Sequence, residues 1–548
     1  MKGAQAIASL LKAEGVEHLF CFPVNHIIEA AAEYDIRPIM ARTERTVVGM
    51  ADGYSRVTNG RRLGVLAVQH GPGVENTFGG IAQAFADSTP ILALPGGNPQ
   101  SRSGFLPDFD VTLNYQHIAK WAARINQPAR ITEMIRHAFS QLRSGRPGPV
   151  VLEVPLDIQT GQVEEVLSES AYQPVPGAKS MANPADVRSA LKALLRAEKP
   201  FIQAGAGVLY AEAWDELREF AELVQVPVMT TLQGKSGFPE DHPLSLGSGG
   251  LAGPLAAARF LAESDLIFGI GASLSVSSFA APIPKGKTCI QLCVDERDLE
   301  KDYPTAYPLL GDAKLVLQQL IEEAKRVLGP EGKKGDGHAV HEVMQIKQEW
   351  LAQWRPRLDA NDTPISPYRV VRDLQRALNL RETIATHDAG NPRDQMSPFW
   401  MALMPNSYIG WGKSTHLGYG LPLALGAKVA KPEKTVVNVM GDAAFGMSGL
   451  DIETAARNKI GTLTVLMNNS RLGGYDKYLP IATKKYGTRF LTGDYAKIAE
   501  GLGAYAEKVE KPDEIIPAVR RALKYTKEDR PALLEVITRE EPVFSKYW

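Results

Sequence analysis

Cysteine is scarce: three residues, Cys21, Cys289 and Cys293, in a chain of 548. So sparse and odd a set in a long chain excludes a disulfide framework and points to a reducing compartment, read here as the cytoplasm. Cys289 and Cys293, in TCIQLCVDE, read as core thiols of a buried strand. An excess of either charge is missing too, with 61 Lys and Arg against 62 Asp and Glu. That balance removes the electrostatic case for nucleic acid or an anionic membrane as partner. No apolar run approaches the roughly 18–20 residues of a membrane helix. The opening MKGAQAIASLLKAEGVEHLFCF carries acidic residues and no small-residue cleavage site. It reads as an amphipathic helix running into a strand, not as a signal peptide. The chain also lacks a clean G-x-G-x-x-G opening a β-α-β unit with an acid about 20 residues on, which counts against a dinucleotide-dependent oxidoreductase.

What is present is alternation. Apolar strand-like runs and helical stretches follow one another almost throughout, the pattern of α/β layers with parallel sheets. At roughly 100–200 residues per domain, the length predicts about three domains. Two joints interrupt the pattern: LSESAYQPVPGAKSMANP (167–184) and the Gly-rich GPEGKKGDGHAVHE (329–342). They divide the chain into 1–166, 185–328 and 365–548, each expected to be a doubly wound domain. The first and third share a plan of strand, Gly-rich loop, helix and strand, in RLGVLAVQHGPGVENTFGGIAQAFADSTPILAL (62–94) and in the segment that follows. The middle piece shows FIQAGAGV and DLIFGIGASLS, two strands ending in glycine turns.

The segment VMGDAAFGMSGLDIETAARNKIGTLTVLMNNSRLGG (439–474) carries the chemistry. TVVNVM is a strand, and Gly441, Asp442, Ala443 and Ala444 form the turn leaving it. Ser448 reads as a helix N-cap with Asp451 in the capping-box position, and Gly461 as the helix stop. LTVLM is the next strand, and NNSRLGG leaves its end. In a right-handed β-α-β unit both strand ends open on one sheet edge, so Asp442 and Asn469 converge although 27 residues apart. A carboxylate and an amide oxygen together suit a hard cation such as Mg²⁺, which keeps water and phosphate as further ligands. Gly441, Gly446, Gly473 and Gly474 let backbone approach a phosphate, and the helix start expected near Ser448 adds its dipole.

This unit resembles the thiamin-diphosphate motif of the acetolactate synthase, pyruvate decarboxylase and benzaldehyde lyase superfamily, which begins Gly-Asp-Gly or Gly-Asp-Ala and ends Asn-Asn. The overall look is closest to acetolactate synthase-like large subunits. The resemblance implies thiamin diphosphate with Mg²⁺ held by Asp442, Asn469 and the main-chain carbonyl of Arg471. IRPIMARTERTVVGMADGYSRVTNG (36–60) resembles the segment carrying the family's activating glutamate, which Glu44 matches. KSTHLGYGLPLALGA (413–427) resembles the stretch that holds the cofactor bent, with Leu417 as the wedge between its rings. HDAGNP (387–392) resembles the loop over the diphosphate, with Gly390 and Asn391 as contacts. The likeness covers nearly the whole chain, as pyrimidine, middle and diphosphate domains. The family builds its site between two subunits, so a homodimer or homotetramer is implied, with Glu44 facing the Asp442 of another copy.

The substrates implied are small carbonyl compounds. His26, in FCFPVNHIIEA, and His70, in VQHGPG, leave the same sheet edge as Glu44 and can exchange protons with an alkoxide. A histidine near His26 resembles aldehyde lyases, and one near His70 resembles pyruvate decarboxylases. Gln116, in NYQHIAKW, resembles a polar residue facing that cavity, though the stretch also fits a surface helix. GGYDKYLP, with Tyr475, Lys477 and Tyr478, replaces the Met and Trp that acetolactate synthases carry after Asn-Asn. GIGASLSVSS (269–278) replaces the Arg-rich turn of FAD-binding members, so FAD or another adenine nucleotide is not supported, although the glycine turns leave it possible. The expectation is 2-ketoacid decarboxylation and carboligation. Alternatives are a 2-hydroxyketone or aldehyde lyase, a 2-hydroxyacyl-CoA lyase, a simple 2-ketoacid decarboxylase, or a non-catalytic relative, against which Glu44 speaks.

Overall fold

The computed structural model describes residues 1–105, 109–163, 172–277, 279–333 and 337–548. The boundary expected at 166, the start of the 167–184 joint and Ser278 lie outside the described residues. Eighteen strands form three six-stranded sheets, in which every recorded strand pairing is parallel. The first holds β1 (His18–Phe22), β2 (Arg37–Met40), β3 (Gly64–Val68), β4 (Ile91–Gly97), β5 (Trp121–Arg124) and β6 (Val150–Pro155). Its order is β2-β1-β3-β4-β6-β5. The second holds β7 (Pro200–Ala204), β8 (Val228–Thr231), β9 (Ser245–Gly249), β10 (Leu266–Ile270), β11 (Thr288–Cys293) and β12 (Tyr307–Leu310). Its order, β12-β11-β10-β7-β8-β9, is that of a dinucleotide-binding fold. The third holds β13 (Thr383–His387), β14 (Tyr408–Ile409), β15 (Thr435–Gly441), β16 (Leu463–Asn468), β17 (Tyr505–Val509) and β18 (Ala532–Ile537). Its order, β14-β13-β15-β16-β18-β17, repeats that of the first, which gives the shared plan of those two segments a topological form. Central strands such as GVLAV and LTVLMN are buried at every position, as both-face-covered parallel strands must be.

The first and third sheets are joined through two helices, Glu44–Arg56 and Gly420–Ala430. They meet at glycine: a Cβ on Gly53 would overlap the Leu423 carbonyl, and one on Gly426 the Met50 carbonyl. Gly426→Val should therefore cost about 3 kcal/mol by prising the helices apart. The check is the apparent melting temperature; an unchanged value would contradict the packing.

Two local expectations need correcting. The helix after β15 starts at Asp442, not at Ser448, and runs Asp442–Ser448 before a 3-10 turn and a second helix, Ile452–Asn458. Ser448 makes no capping hydrogen bond, because Gly441 already turns the chain helical at the strand end. Asp451 faces the first domain instead, accepting from the Arg42 N–H at 2.9 Å and the Thr46 hydroxyl at 2.6 Å. The left-handed stop is Lys459 (φ 58°), two residues before Gly461. The three cysteines are buried and unpaired, and burial pushes the Cys21 thiol up to about 12 and Cys293 up to about 11. These are inert core thiols.

Candidate functional site

In an open α/β sheet a ligand sits where the chain switches from one side of a strand to the other. In the third sheet that point lies between β13 and β15, since β14 lies on one side of β13 and β15 on the other. A cavity of about 310 Å³ opens there. Gly390 and Asn391 after β13, Gly441, Asp442, Ala443 and Ala444 after β15, Asn469, Arg471 and Gly473 after β16, and Leu417 all line it. Gly474 does not; it takes φ 76°, which suits glycine, and its N–H points at Glu540, 3.4 Å away.

Register explains the convergence of Asp442 and Asn469. β15 and β16 pair with Gly441 beside Met467, so the residues leaving the two strands stand level. Asp442 is 3 % exposed; its Oδ1 accepts from the Ala443 N–H at 2.8 Å. Burial raises its carboxyl pKa, and the N–H groups of Ala443, Ser470 and Arg471 pull it back. Its Oδ2 is buried with no partner among the described residues. A buried carboxylate oxygen left unpaired is costly, and a cation supplies what is missing. With the Asn469 amide lining the same cavity, this donor set fits Mg²⁺. Of the Asn-Asn pair, Asn468 is the anchor: its amide donates to the buried Glu535 at 2.7 Å. Gly473 is required by contact, because a Cβ there would overlap the Asn391 amide.

Leu417 rides on a loop whose backbone is held by side chains. Asp388, fully buried, accepts from the N–H groups of Ala389, Gly418 and Gly420 at 2.8, 2.8 and 2.9 Å. Burial pushes its carboxyl up to about 6 against those three donors. From the first domain, Asp87 accepts from Gly412 and Lys413, Gln83 accepts from His416, and Arg45 donates to the Leu417 carbonyl. None of these holders was readable from sequence, since each partner lies far along the chain.

His387, fully buried, stacks on Trp411 with centroids 5.3 Å apart. Burial, and then the Arg393 guanidinium, push its imidazole down to about 3 from the usual 6.5. Below 6.5 the unfolded chain takes up a proton that the folded chain refuses. The stability involved is therefore complete above pH 6.5 and lost as pH falls from there toward 3. Down to about pH 5 the loss amounts to about 2 kcal/mol. Asp388 works in the opposite sense below about 6, because its folded carboxyl takes up a proton before the unfolded one does. His387→Phe keeps a ring against Trp411 and should remove that loss. Urea midpoints at the two pH values check it; an unchanged difference would contradict it.

The remaining expected residues stand on the first sheet. Glu44 opens its helix behind the N-cap Thr43, is 5 % exposed, and accepts from the Asn76 amide at 3.2 Å. His26, first residue of the helix His26–Glu33 after β1, and His70, in the turn after β3, are exposed at the switch point of that sheet. The buried Asn25 amide ties these turns together by donating to the Val68 and Leu94 carbonyls at 3.0 and 3.1 Å. Gln116 is exposed just after the short helix Val111–Tyr115. None of Glu44, His26, His70 and Gln116 lines the cavity beside Asp442. A second cavity, of about 160 Å³, lies at the switch point of the middle sheet between the glycine turns at Gly205 and Gly271.

Three parallel sheets, with a cavity of about 310 Å³ at the switch point of the third, place the chain in the doubly wound α/β class. Residues 1–122 match the thiamine pyrophosphate enzyme N-terminal TPP binding domain, 187–320 the central domain, and 388–536 the C-terminal TPP binding domain. A probable acetolactate synthase large subunit of Methanocaldococcus jannaschii is 33% identical, over 98% of this chain and 92% of that protein. An acetolactate synthase isozyme 3 large subunit of Escherichia coli is 28% identical over 98% and 94%. A glyoxylate carboligase of Escherichia coli is 29% identical over 98% and 93%. The chain belongs to the thiamine pyrophosphate enzyme family.

Proposed function

We propose that this protein is a thiamin diphosphate- and Mg²⁺-dependent carboligase that decarboxylates one 2-ketoacid and joins the remainder to a second carbonyl compound. The observation that carries the reading is the unpaired Oδ2 of Asp442 beside Asn469, in a cavity lined by glycine turns. When bound, thiamin diphosphate supplies a carbon nucleophile for the carbonyl carbon and a sink for the electron pair released with CO₂. Asp442, Asn469 and the Arg471 carbonyl would hold Mg²⁺. Gly390, Asn391, Ala443, Ala444 and Gly473 would give the phosphates backbone access, whereas Gly474, expected to join them, stands outside the cavity. Leu417, lining the same cavity, would pack against the cofactor's rings. Glu44 holds a proton at the aminopyrimidine nitrogen, and His26, His70 and Gln116 exchange protons with, or orient, the substrate oxygen.

Glu44 does not line the Asp442 cavity of its own chain, and this supports a site shared by two copies in a homodimer or homotetramer. Apolar side chains stand exposed near both residues: Phe78 and Phe85 on the helix after His70, Met447 on the helix that Asp442 opens, and Leu450 in the 3-10 turn after it. The three functional units are taken as 1–166, 185–328 and 365–548. No described helix is long and apolar enough to cross a membrane. The reading places the enzyme in the cytoplasm, which the buried, unpaired thiols support. FAD is left out of the reading, because the turn 271–277 offers serines and no basic side chain.

The test is stripped protein with pyruvate, products identified by NMR. Acetolactate formed only when thiamin diphosphate and Mg²⁺ are both returned supports the reading. Acetaldehyde alone moves it to a simple decarboxylase, cleavage of a hydroxyketone but not of pyruvate to an aldehyde lyase, and no cofactor binding ends it.

A further inference from the structure

Glu535 is fully buried on β18, a strand whose neighbouring positions Ala532, Leu533, Leu534 and Val536 are apolar and buried. A carboxyl group in such a strand is costly unless every oxygen finds a donor. Both of its oxygens do. Oε1 accepts from the Asn468 amide at 2.7 Å, and Oε2 accepts from the Ala496 N–H at 2.8 Å.

These two contacts lead to the two sides of the Asp442–Asn469 site. On one side, the Asn468 Oδ1 accepts from the Ser470 N–H and hydroxyl at 2.9 and 3.1 Å. Ser470 takes φ 55°, the left-handed region that a residue with a Cβ enters at a cost. The chain reverses there, between Asn469 and Arg471. The Arg471 N–H donates to the Asn469 Oδ1 at 3.1 Å, and the N–H groups of Ser470 and Arg471 reach the Asp442 carboxylate. On the other side, Ala496 follows Tyr495, whose ring meets Phe445 edge-on with centroids 5.5 Å apart. Phe445 belongs to the helix that Asp442 opens. One buried carboxyl group therefore braces both strand-end turns that meet at the site.

We propose that Glu535 is a positioning residue for the Mg²⁺ site: through Asn468 it holds the left-handed Ser470 turn that presents the Asn469 amide and the Arg471 carbonyl to the ion. The proposal rests on the Mg²⁺-dependent reading above and deepens it. Glutamine at 535 offers one acceptor where two donors converge. With its oxygen on the Ala496 N–H, its amide meets the Asn468 amide. Asn468 must then rotate and turn its own N–H groups onto Ser470, and the turn loses its acceptor. Mg²⁺ demands near-ideal octahedral geometry, whereas Ca²⁺ accepts irregular sets of oxygens, so misplaced ligands penalise Mg²⁺ more.

In the experiment, stripped full-length protein receives thiamin diphosphate and is titrated with Mg²⁺ or with Ca²⁺, and tryptophan quenching reads cofactor retention. In Glu535→Gln the half-saturating Mg²⁺ concentration should rise about ten- to a hundredfold, the usual effect of losing a group that orients a metal ligand. The half-saturating Ca²⁺ concentration should rise less. Combining Glu535→Gln with Asn468→Asp reverses the pair at constant charge: the glutamine amide donates to the new carboxylate, which still accepts from Ser470. This swap should recover most of the Mg²⁺ affinity. Asn468→Asp alone, which sets two carboxyl groups face to face, should not. Unchanged Mg²⁺ affinity in Glu535→Gln overturns the proposal, and so does an equal loss for both ions, the mark of a generally loosened fold. If the single variant does not fold, the swap decides: the wild-type ratio of the two half-saturating concentrations supports the proposal, and a ratio shifted toward Ca²⁺ overturns it. Wild type that retains no cofactor with Mg²⁺ would end the proposed function together with this inference, whereas a failure confined to the variants would leave that function standing.

Discussion

Glu44→Gln should cut turnover about a hundred- to ten-thousandfold, the range for loss of a positioned acid–base group, and leave cofactor affinity almost unchanged. The substitution is conservative in shape. The Glu44 side chain is buried and its recorded partner is the Asn76 amide, a donor that a glutamine carbonyl accepts equally well. Fold and pocket are kept, and only the charge goes. A neutral amide cannot exchange a proton with the cofactor as the Glu44 carboxyl would, so the loss should fall on kcat and not on KM. Steady-state rates with pyruvate and cofactor titrations read the two halves separately. Undiminished kcat would remove Glu44 from the mechanism.

Asp442→Ala should weaken cofactor retention at least a hundredfold at fixed Mg²⁺, on the order expected when a metal ligand is lost, since far smaller losses follow from outer-shell changes. Its second signature is opposite in sign. The carboxylate is buried, raised in pKa, and one oxygen lacks a partner, so the cofactor-free protein carries a cost that alanine removes. Stripped Asp442→Ala should therefore be no less stable than stripped wild type, while thiamin diphosphate with Mg²⁺ should no longer raise its melting temperature. An ordinary structural aspartate would show the reverse, lower stability with binding intact.

Local pattern carried much of this architecture. Parallel strands rich in Val, Ile and Leu, each ending in a glycine turn, marked the switch-point edges, and fixed strand register turned Asp442 and Asn469 into one site. The 310 Å³ cavity is lined by most of the residues that the motif singled out. Tertiary partners were the part that sequence could not show. Ser448 and Asp451 have capping-box spacing, yet Asp451 is taken by Thr46, 405 residues away. Asp87, which shapes the Leu417 loop, bonds a backbone amide 325 residues on. His26 and His70 stand exposed on the first sheet, and no local pattern shows what faces them.

The most direct test of the account is to mix its two inactive forms. Glu44→Gln and Asp442→Ala chains, co-expressed with different tags and assayed with pyruvate, should regain activity. A mixed dimer pairs the intact Glu44 of one chain with the intact Asp442 of the other, so random pairing should restore about a quarter of wild-type turnover. If each chain carried its own complete site, no mixture would recover activity, and that silence would contradict the shared-site mechanism.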